Sequence, residues 1–290
     1  FRKCEKSMVV LVTGAGGQLG QALQFIAPNY ADIQFVFCDS KELDITNLNK
    51  IKQLFEQFKP NCCINAAAYT AVDKSESEPE MANLINVVGP KNLAEVCKEF
   101  NTILIHISTD FVFDGNDGPY DESATPNPIN DYGESKLLAE EMVEMSGLHW
   151  AIVRTVLLYG GKVPGGLPNF IQWVKDKLSA GEKIKVVDDQ FRTPTYVEDL
   201  AKGIILVLMK HAKGVFHISG REMCTPYQLA VTVADILQLN SASIERVTAE
   251  TFQEPAKRPP KTGFIITKAV KELGYVPVKL EDGLRRVFGV

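Results

Sequence analysis

At 290 residues, 45% hydrophobic and 23% charged, the chain has the composition of a soluble globular protein, with enough material for one large domain or two small ones. Its net charge of −5 gives no reason to expect nucleic acid or an anionic membrane as partner. The longest apolar runs, such as Ile204 to Met209, are far short of a bilayer span.

The six cysteines (Cys4, Cys38, Cys62, Cys63, Cys97, Cys224) show no metal-ligand spacing. Cys38, Cys62 and Cys63 lie in apolar runs and read as small core residues, which suits a reducing, cytoplasmic setting. Phe1 to Ser7 is charged and too short for a secretory signal, and reads as an extension ahead of Met8.

Met8 to Val12 is a short, β-branched apolar run, as expected of a strand buried on both faces. It passes directly into Thr13-Gly14-Ala15-Gly16-Gly17-Gln18-Leu19-Gly20 and then a helical pattern through Ala22, Leu23, Phe25 and Ile26. Strand, glycine-rich turn and helix start make a phosphate cradle. The glycines let the backbone approach a pyrophosphate, and the helix N-terminus offers free N–H groups. The spacing is Gly14-x-x-Gly17-x-x-Gly20 rather than the tighter Gly-x-Gly-x-x-Gly.

The next apolar run, Ile33 to Cys38, ends in Asp39, an acid placed to hold an adenosine ribose through both oxygens. Asp39 favours NAD, while Ser40 and Lys41 behind it could receive a 2′-phosphate and keep NADP open. Asp44-Ile45 offers a carboxylate to an adenine amino group, or caps a helix over Thr46 to Phe58.

Past that helix, Cys62 to Ala68 reads as a strand whose small-residue end, Ala66, Ala67 and Ala68, lets a flat ligand pass close to the backbone. The loop Tyr69 to Lys74 follows at a strand's carboxyl end, where open α/β sheets place ligands. A helix from about Pro79 to Phe100 carries Asn86. Ile103 to Phe113 begins as a buried strand, and Ser108 and Thr109 interrupt it where it emerges. A hydroxyl there hydrogen-bonds a substrate carbonyl or caps a turn.

Asp114 to Asp131, rich in Gly, Pro, Asn and Asp, is a long loop of the kind that is more often functional than decorative. It delivers the chain to Tyr132, which opens a helix carrying Lys136. Residues four apart share a helix face. A free tyrosine, with a pKa of about 10, is a poor acid near neutral pH. An ammonium beside it favours the phenolate and pulls that value down.

These motifs, with Asn65-Ala66-Ala67-Ala68, Ser108-Thr109-Asp110 and Pro128-x-x-x-Tyr132-Gly133-x-x-Lys136 in order, resemble the extended short-chain dehydrogenase/reductase superfamily. Within it the chain most resembles the dTDP-4-dehydrorhamnose reductases, through Asn65 to Glu80, Ser108 to Phe113 and Asp189-Gln190-Phe191 with Pro194-Thr195. The likeness covers almost the whole chain from Met8.

The resemblance implies a Rossmann-type doubly wound parallel sheet in residues 8–160, completed by about 195–219. A smaller C-terminal α/β substrate-binding part would be formed by 161–194 and 220–290. It implies a catalytic triad of Thr109, Tyr132 and Lys136. It implies that Gly14, Gly17 and Gly20 hold the pyrophosphate of NADPH or NADH, with Gln18, Leu19, Asp39, Asp44, Ile45, Ala66 to Ala68, Tyr132 and Lys136 along the rest of the cofactor. Thr70, Val72, Phe111 and Leu157 fall where the family contacts its sugar.

The activity implied is reduction of the C4 keto group of a deoxy-sugar nucleotide, dTDP-4-dehydro-β-L-rhamnose becoming dTDP-β-L-rhamnose. The sequence departs from the family at Leu157, where members often have Trp, at Phe111, often Tyr, and at Arg192, small in some members. All three departures touch the substrate side. Ala22 stands where some members bind magnesium through a glutamate at a dimer interface, so no metal is expected, and a homodimer stays open.

The resemblance also extends to nucleotide-sugar epimerases and to the NADP-binding regulatory subunit of methionine adenosyltransferase, a non-catalytic role. The sugar dehydratases place Asp-Glu after the Ser-Thr pair, whereas here Asp110 is followed by Phe111.

In the remaining chain, Asn169 to Ser179 reads as a helix, Lys183 to Val187 and Gly214 to Ser219 as strands, and Thr225 as the cap of a helix from Pro226 to Leu237. The basic, proline-stiffened Pro255 to Lys261 is a solvated loop, or grips a substrate diphosphate through Arg258. His106, His149, His211 and His217 form no cluster and read as structural.

Overall fold

The computed structural model describes residues 8–161 and 169–290. The expected extension at 1–7 and the start of the expected substrate-binding part at 162–168 lie outside the described residues.

The first half alternates strand and helix: β1 (Met8–Thr13), α1 (Gln18–Ile26), β2 (Ile33–Cys38), α2 (Leu48–Phe58) and β3 (Cys62–Asn65). A short α3 (Val72–Ser75) leads to a rod in three pieces, α4 (Pro79–Asn83), a π-helical turn at Leu84–Val88, and α5 (Gly89–Glu99). Then come β4 (Ile103–Thr109), α6 (Asp131–Glu144), β5 (Trp150–Thr155) and the two-residue β6 (Leu158–Tyr159). The last third contains α7 (Phe170–Ser179), β7 (Ile184–Val187), β8 (Thr195–Tyr196), α8 (Val197–Met209), β9 (Gly214–His217), α9 (Pro226–Ile236), β10 (Ile244–Val247) and α10 (Leu280–Phe288).

Six strands form one parallel sheet in the order β2-β1-β3-β4-β5-β9. The chain steps outward from β1 to β2, then returns across it to β3. The strand order therefore reverses between β1 and β3, and in such a sheet the ligand crevice opens at the carboxyl ends of those two strands.

Both faces of the sheet are covered, which is why its strands read as continuous apolar runs. In β1, Val10 and Val12 pack with Leu19 and Leu23 of α1 and Leu200 and Ile204 of α8. Leu11 points the other way, to Ile51 and Phe55 of α2, Leu93 of α5 and Val143 of α6. Cys38, Cys62 and Cys63 are buried in these layers as free thiols.

A third core lies outside the sheet. Ile171, Val174 and Leu178 of α7 pack with Leu229 and Val233 of α9, Leu284 of α10 and the parallel pair β7 and β10. Neither β10 nor α10 was expected. Ile244 is the only fully buried residue of the four in β10, and α10 buries only Gly283 and Leu284, so neither segment shows a clear apolar period.

Candidate active site

The turn after β1 lies against the end of β3. Gly14 has φ +67°, and a Cβ there would come within 2.6 Å of the Ala67 nitrogen, so both its conformation and its neighbour require glycine. The first turn of α1 begins at Gln18 with Gly17 as a cap that contributes no side-chain hydrogen bond. Its free N–H groups stay open to an anion. A cradle that a Cβ would fill, at a helix N-terminus and a switch point, fits a dinucleotide pyrophosphate.

Two adjoining cavities run across this edge. The first, of about 430 Å³, is lined by Gly14, Gly17, Asp39, Asp44, Ile45 and Ala66 to Ala68. The second, of about 420 Å³, is lined by Gln18, Leu19, Gly20, Thr70, Val72, Phe111 and Leu157, together with Thr109, Tyr132 and Lys136. Gly17, Ala66 and Ala68 wall both. Of the residues expected from sequence to meet cofactor or substrate, Lys41, Arg192 and Arg258 are not among those lining this cleft.

At the first cavity, Asp39 Oδ1 accepts from the Lys41 and Glu42 amides at 2.8 and 3.0 Å, closing its own turn and leaving Oδ2 for a ribose. Asp44 lines the cavity but does not cap α2. Its Oδ1 accepts from the Thr46 amide and hydroxyl, and Asn47 caps a helix that starts at Leu48 rather than Thr46. Gln18 donates through Nε2 to the Gly160 carbonyl at 2.6 Å.

At the second cavity, α6 is started by Asn130, whose Oδ1 accepts from the Gly133 amide at 2.8 Å. Gly133 lets that first turn press onto the chain leaving β4, because a Cβ there would lie 2.2 Å from the Phe111 carbonyl oxygen. The Tyr132 ring consequently meets the Phe111 ring edge-on at 5.6 Å. Thr109 accepts from the Phe111 amide and donates to Asp110 Oδ1 at 3.2 Å. Thr109 thus both caps a turn and faces the cavity. Ser108 Oγ, buried beside it, has no partner among the described residues.

Burial pushes the Tyr132 phenol up to about 12, with a hydrogen bond from Thr109 acting the other way. This corrects the expectation that Lys136 pulls it down. The Lys136 amine is turned instead to the Ile107 carbonyl at 2.7 Å and lies 3.4 Å from His106 Nε2. Desolvation lowers Lys136 to about 8 against the favourable charge of Glu140. Arg154 in turn holds the Glu140 carboxylate bidentately at 2.5–3.1 Å. His106, read from sequence as structural, stands in β4 between Asn65 and Lys136. Its proximity to Lys136 depends on sheet register, which no sequence spacing announces.

Asn86 was placed on a helix without a role. The π-helical turn buries it, and its carboxamide bonds both backbone groups of Tyr69 at 2.8 and 3.0 Å and Ser135 Oγ of α6 at 3.0 Å. It pins the Tyr69 loop to α6.

Residues 8–289 match the family described as RmlD substrate binding domain. The chain belongs to this family. The dTDP-4-dehydrorhamnose reductase of Aggregatibacter actinomycetemcomitans is 32% identical over 96% of this chain and 97% of its own. The crystal structure of dTDP-4-dehydrorhamnose reductase from Bacillus anthracis in complex with NADP superposes with a TM-score of 0.89 at 34% identity, covering 97% of this chain and 99% of that one. Methionine adenosyltransferase 2 subunit beta of Xenopus tropicalis is 33% identical over 83% of this chain and 75% of its own. As a member of the RmlD family, the chain is an oxidoreductase of the extended short-chain dehydrogenase/reductase superfamily whose crevice takes a nicotinamide dinucleotide.

The three departures from the family sort differently in space. Phe111 and Leu157 line the cavity, and Leu157 has φ +26°, a left-handed value unusual for a branched residue and of the kind found at binding sites. Arg192, expected to touch substrate, is buried away from the cavity. It donates to the carbonyls of Phe191, Pro259 and Pro260 and faces Asp110 at 3.6 Å. Arg258 likewise does not reach an open site, because Asp73, next to Val72, takes its guanidinium bidentately at 2.6 and 2.8 Å. Among the described residues of this RmlD-family chain no group of three or more His, Cys, Asp or Glu could hold a metal, and no helix is long and apolar enough to cross a membrane.

Proposed function

We propose that this protein reduces the C4 keto group of a deoxy-sugar nucleotide with NADPH or NADH in the cytoplasm, most specifically dTDP-4-dehydro-β-L-rhamnose to dTDP-β-L-rhamnose. The observation that carries this reading is that Thr109, Tyr132 and Lys136 share one wall of a cavity whose other end is the glycine cradle. Gly14, Gly17, Gln18, Leu19 and Gly20 would hold the pyrophosphate, Asp39 the adenosine ribose, and Asp44, Ile45 and Ala66 to Ala68 the adenine side. The bound dinucleotide supplies the hydride that reduces the carbonyl carbon.

The protein's own groups manage the oxygen. Tyr132, kept protonated by burial, donates its proton to the oxygen as it becomes an alkoxide. Thr109, turning its hydroxyl proton from Asp110, would give the same oxygen a second hydrogen bond. The ammonium of Lys136 would hold the nicotinamide ribose. Thr70, Val72, Phe111 and Leu157 would face the sugar. Residues 161–194 and 220–290 would form the substrate-binding part, set against a dinucleotide part of 8–160 completed by about 195–219.

The site favours reduction over elimination of water. Asp110 lines the cavity but is buried and taken up by Thr262, Thr109 and Arg192, and Phe111 follows it, so among the described residues no second acid–base couple stands beside Thr109. An epimerase would leave the cofactor unspent.

Incubation with NADPH and dTDP-4-dehydro-β-L-rhamnose tests the reading. Stoichiometric oxidation of NADPH with formation of dTDP-β-L-rhamnose is expected. A second reading, a cofactor-binding regulatory subunit, is favoured by the likeness to methionine adenosyltransferase 2 subunit beta. One mole of cofactor bound per chain with no turnover of any 4-keto nucleotide sugar would decide for it.

A further inference from the structure

A buried polar chain crosses three strands beneath the cleft. Thr13 of β1 donates to Asn65 Oδ1 at 2.7 Å, Asn65 Nδ2 meets His106 Nδ1 at 3.1 Å, and His106 Nε2 lies 3.4 Å from the Lys136 amine. Thr13, Asn65, His106 and Lys136 are each at most 2% exposed. The Ala67 amide and the Thr13 hydroxyl together set the direction of the chain. The amide, shared at 3.3 Å between Thr13 Oγ1 and Asn65 Oδ1, can only donate, and Thr13, accepting from it, passes its own proton to Asn65, so the carboxamide presents its oxygen to both and its NH₂ to the imidazole. His106 Nδ1 then has to accept. Burial keeps this ring neutral, so its single proton sits on Nε2, toward Lys136.

We infer that His106 is a positioning residue for the proposed reaction, whose Nε2–H, fixed by Asn65, faces the Lys136 amine and sets how readily that amine keeps its third proton. An N–H aimed at a nitrogen welcomes a free amine and opposes an ammonium, while the Ile107 carbonyl holds the amine in place in either form. Among the charged groups on elements packed around α6, Glu140 favours the ammonium, and Arg154 holds that carboxylate. Asp110 is committed to Arg192 and Thr262, Asp73 to Arg258, Glu78 to the Tyr69 hydroxyl and Glu76 to the Asp131 amide. Desolvation and the facing N–H act in the same direction, and the lysine titrates close to neutral pH, at about 8.

The inference rests on the reductase reading for its kinetic consequence and on the fold alone for its tautomer, so the two can fail separately. In the full chain labelled with ¹⁵N-histidine, the His106 resonances, assigned by their loss in His106→Gln, are expected to show a proton on Nε2 and none on Nδ1. A proton on Nδ1 overturns the inference whether or not the protein turns over substrate. His106→Leu removes the facing N–H without adding a charge. The alkaline limb of kcat/KM, which falls as Lys136 loses its charge, should then rise by about one pH unit. A limb that stays in place in a folded His106→Leu variant also overturns it. Should that variant not fold, the spectrum of the unaltered chain decides. A wild-type protein with the expected tautomer and no turnover would count against the reductase reading alone.

Discussion

Tyr132, the acid of the proposed reaction, is held in its protonated form. Its ring is 8% exposed and burial raises its phenol to about 12, so it stays protonated through the neutral range, as a proton donor must. Tyr132→Phe should lower kcat by about 10²–10⁴-fold, the usual worth of one positioned acid, with cofactor binding unchanged by fluorescence titration. Near-full turnover in that variant would take Tyr132 out of the chemistry. The four-residue spacing of Tyr132 and Lys136 was legible from sequence, but its electrostatics were not. Helix periodicity brings the two residues to one face, whereas the charge balance depends on the walls around them. Here Phe111 closes on the ring, and His106 and the Ile107 carbonyl draw the amine aside.

At the scale of elements, the site depends on where α6 starts. Asn130 caps it, Gly133 lets it press on Phe111, and Asn86 in the π-helical turn ties it to the Tyr69 loop. Gly133→Ala puts a methyl group 2.2 Å from the Phe111 carbonyl oxygen, a contact that only a shift of backbone can relieve. We expect a loss of about 1–3 kcal/mol in urea unfolding and a larger proportional loss in kcat, since the shift moves Tyr132 away from Thr109. Unchanged stability would show that the corner is slack. The asparagine cap and the helix after it follow from local chemistry and were readable. The π-helical turn was not, because one extra residue in a helix leaves little trace in an apolar period.

Across the whole molecule, two arginines join the loops around residues 188–194 and 254–262 to the dinucleotide-binding half. Arg192 is 5% exposed and connects Asp110, beside Thr109, to the carbonyls of Pro259 and Pro260. Arg192→Leu leaves Asp110 buried without its counter-charge, and should cost about 3–5 kcal/mol of stability. A variant of normal stability but raised KM would return Arg192 to the substrate. Arg258 closes on Asp73, whose carboxyl it holds below its usual 3.8. A depressed carboxyl contributes its pairing above the unfolded value and loses it as pH falls through the folded value. Proteolysis of the loop around Arg258 should therefore be slow at neutral pH and accelerate only in strong acid. In Arg258→Ala it should be fast at both, and equal rates in the two proteins at neutral pH would mean that the pair restrains nothing.

The sequence by itself determined the alternation of strand and helix, the glycine cradle, and the identity of the residues lining the cleft, because these are written in local rules: periodicity, turn chemistry, and a four-residue helical step. Only the tertiary structure decided what those residues are free to do. Asp110 and Asp73 occupy Arg192 and Arg258, and Asn65 orients His106 toward Lys136. Each of these pairings crosses between strands, or between loops far apart in the chain, and a side chain's protonation and reach are set by its neighbours in space.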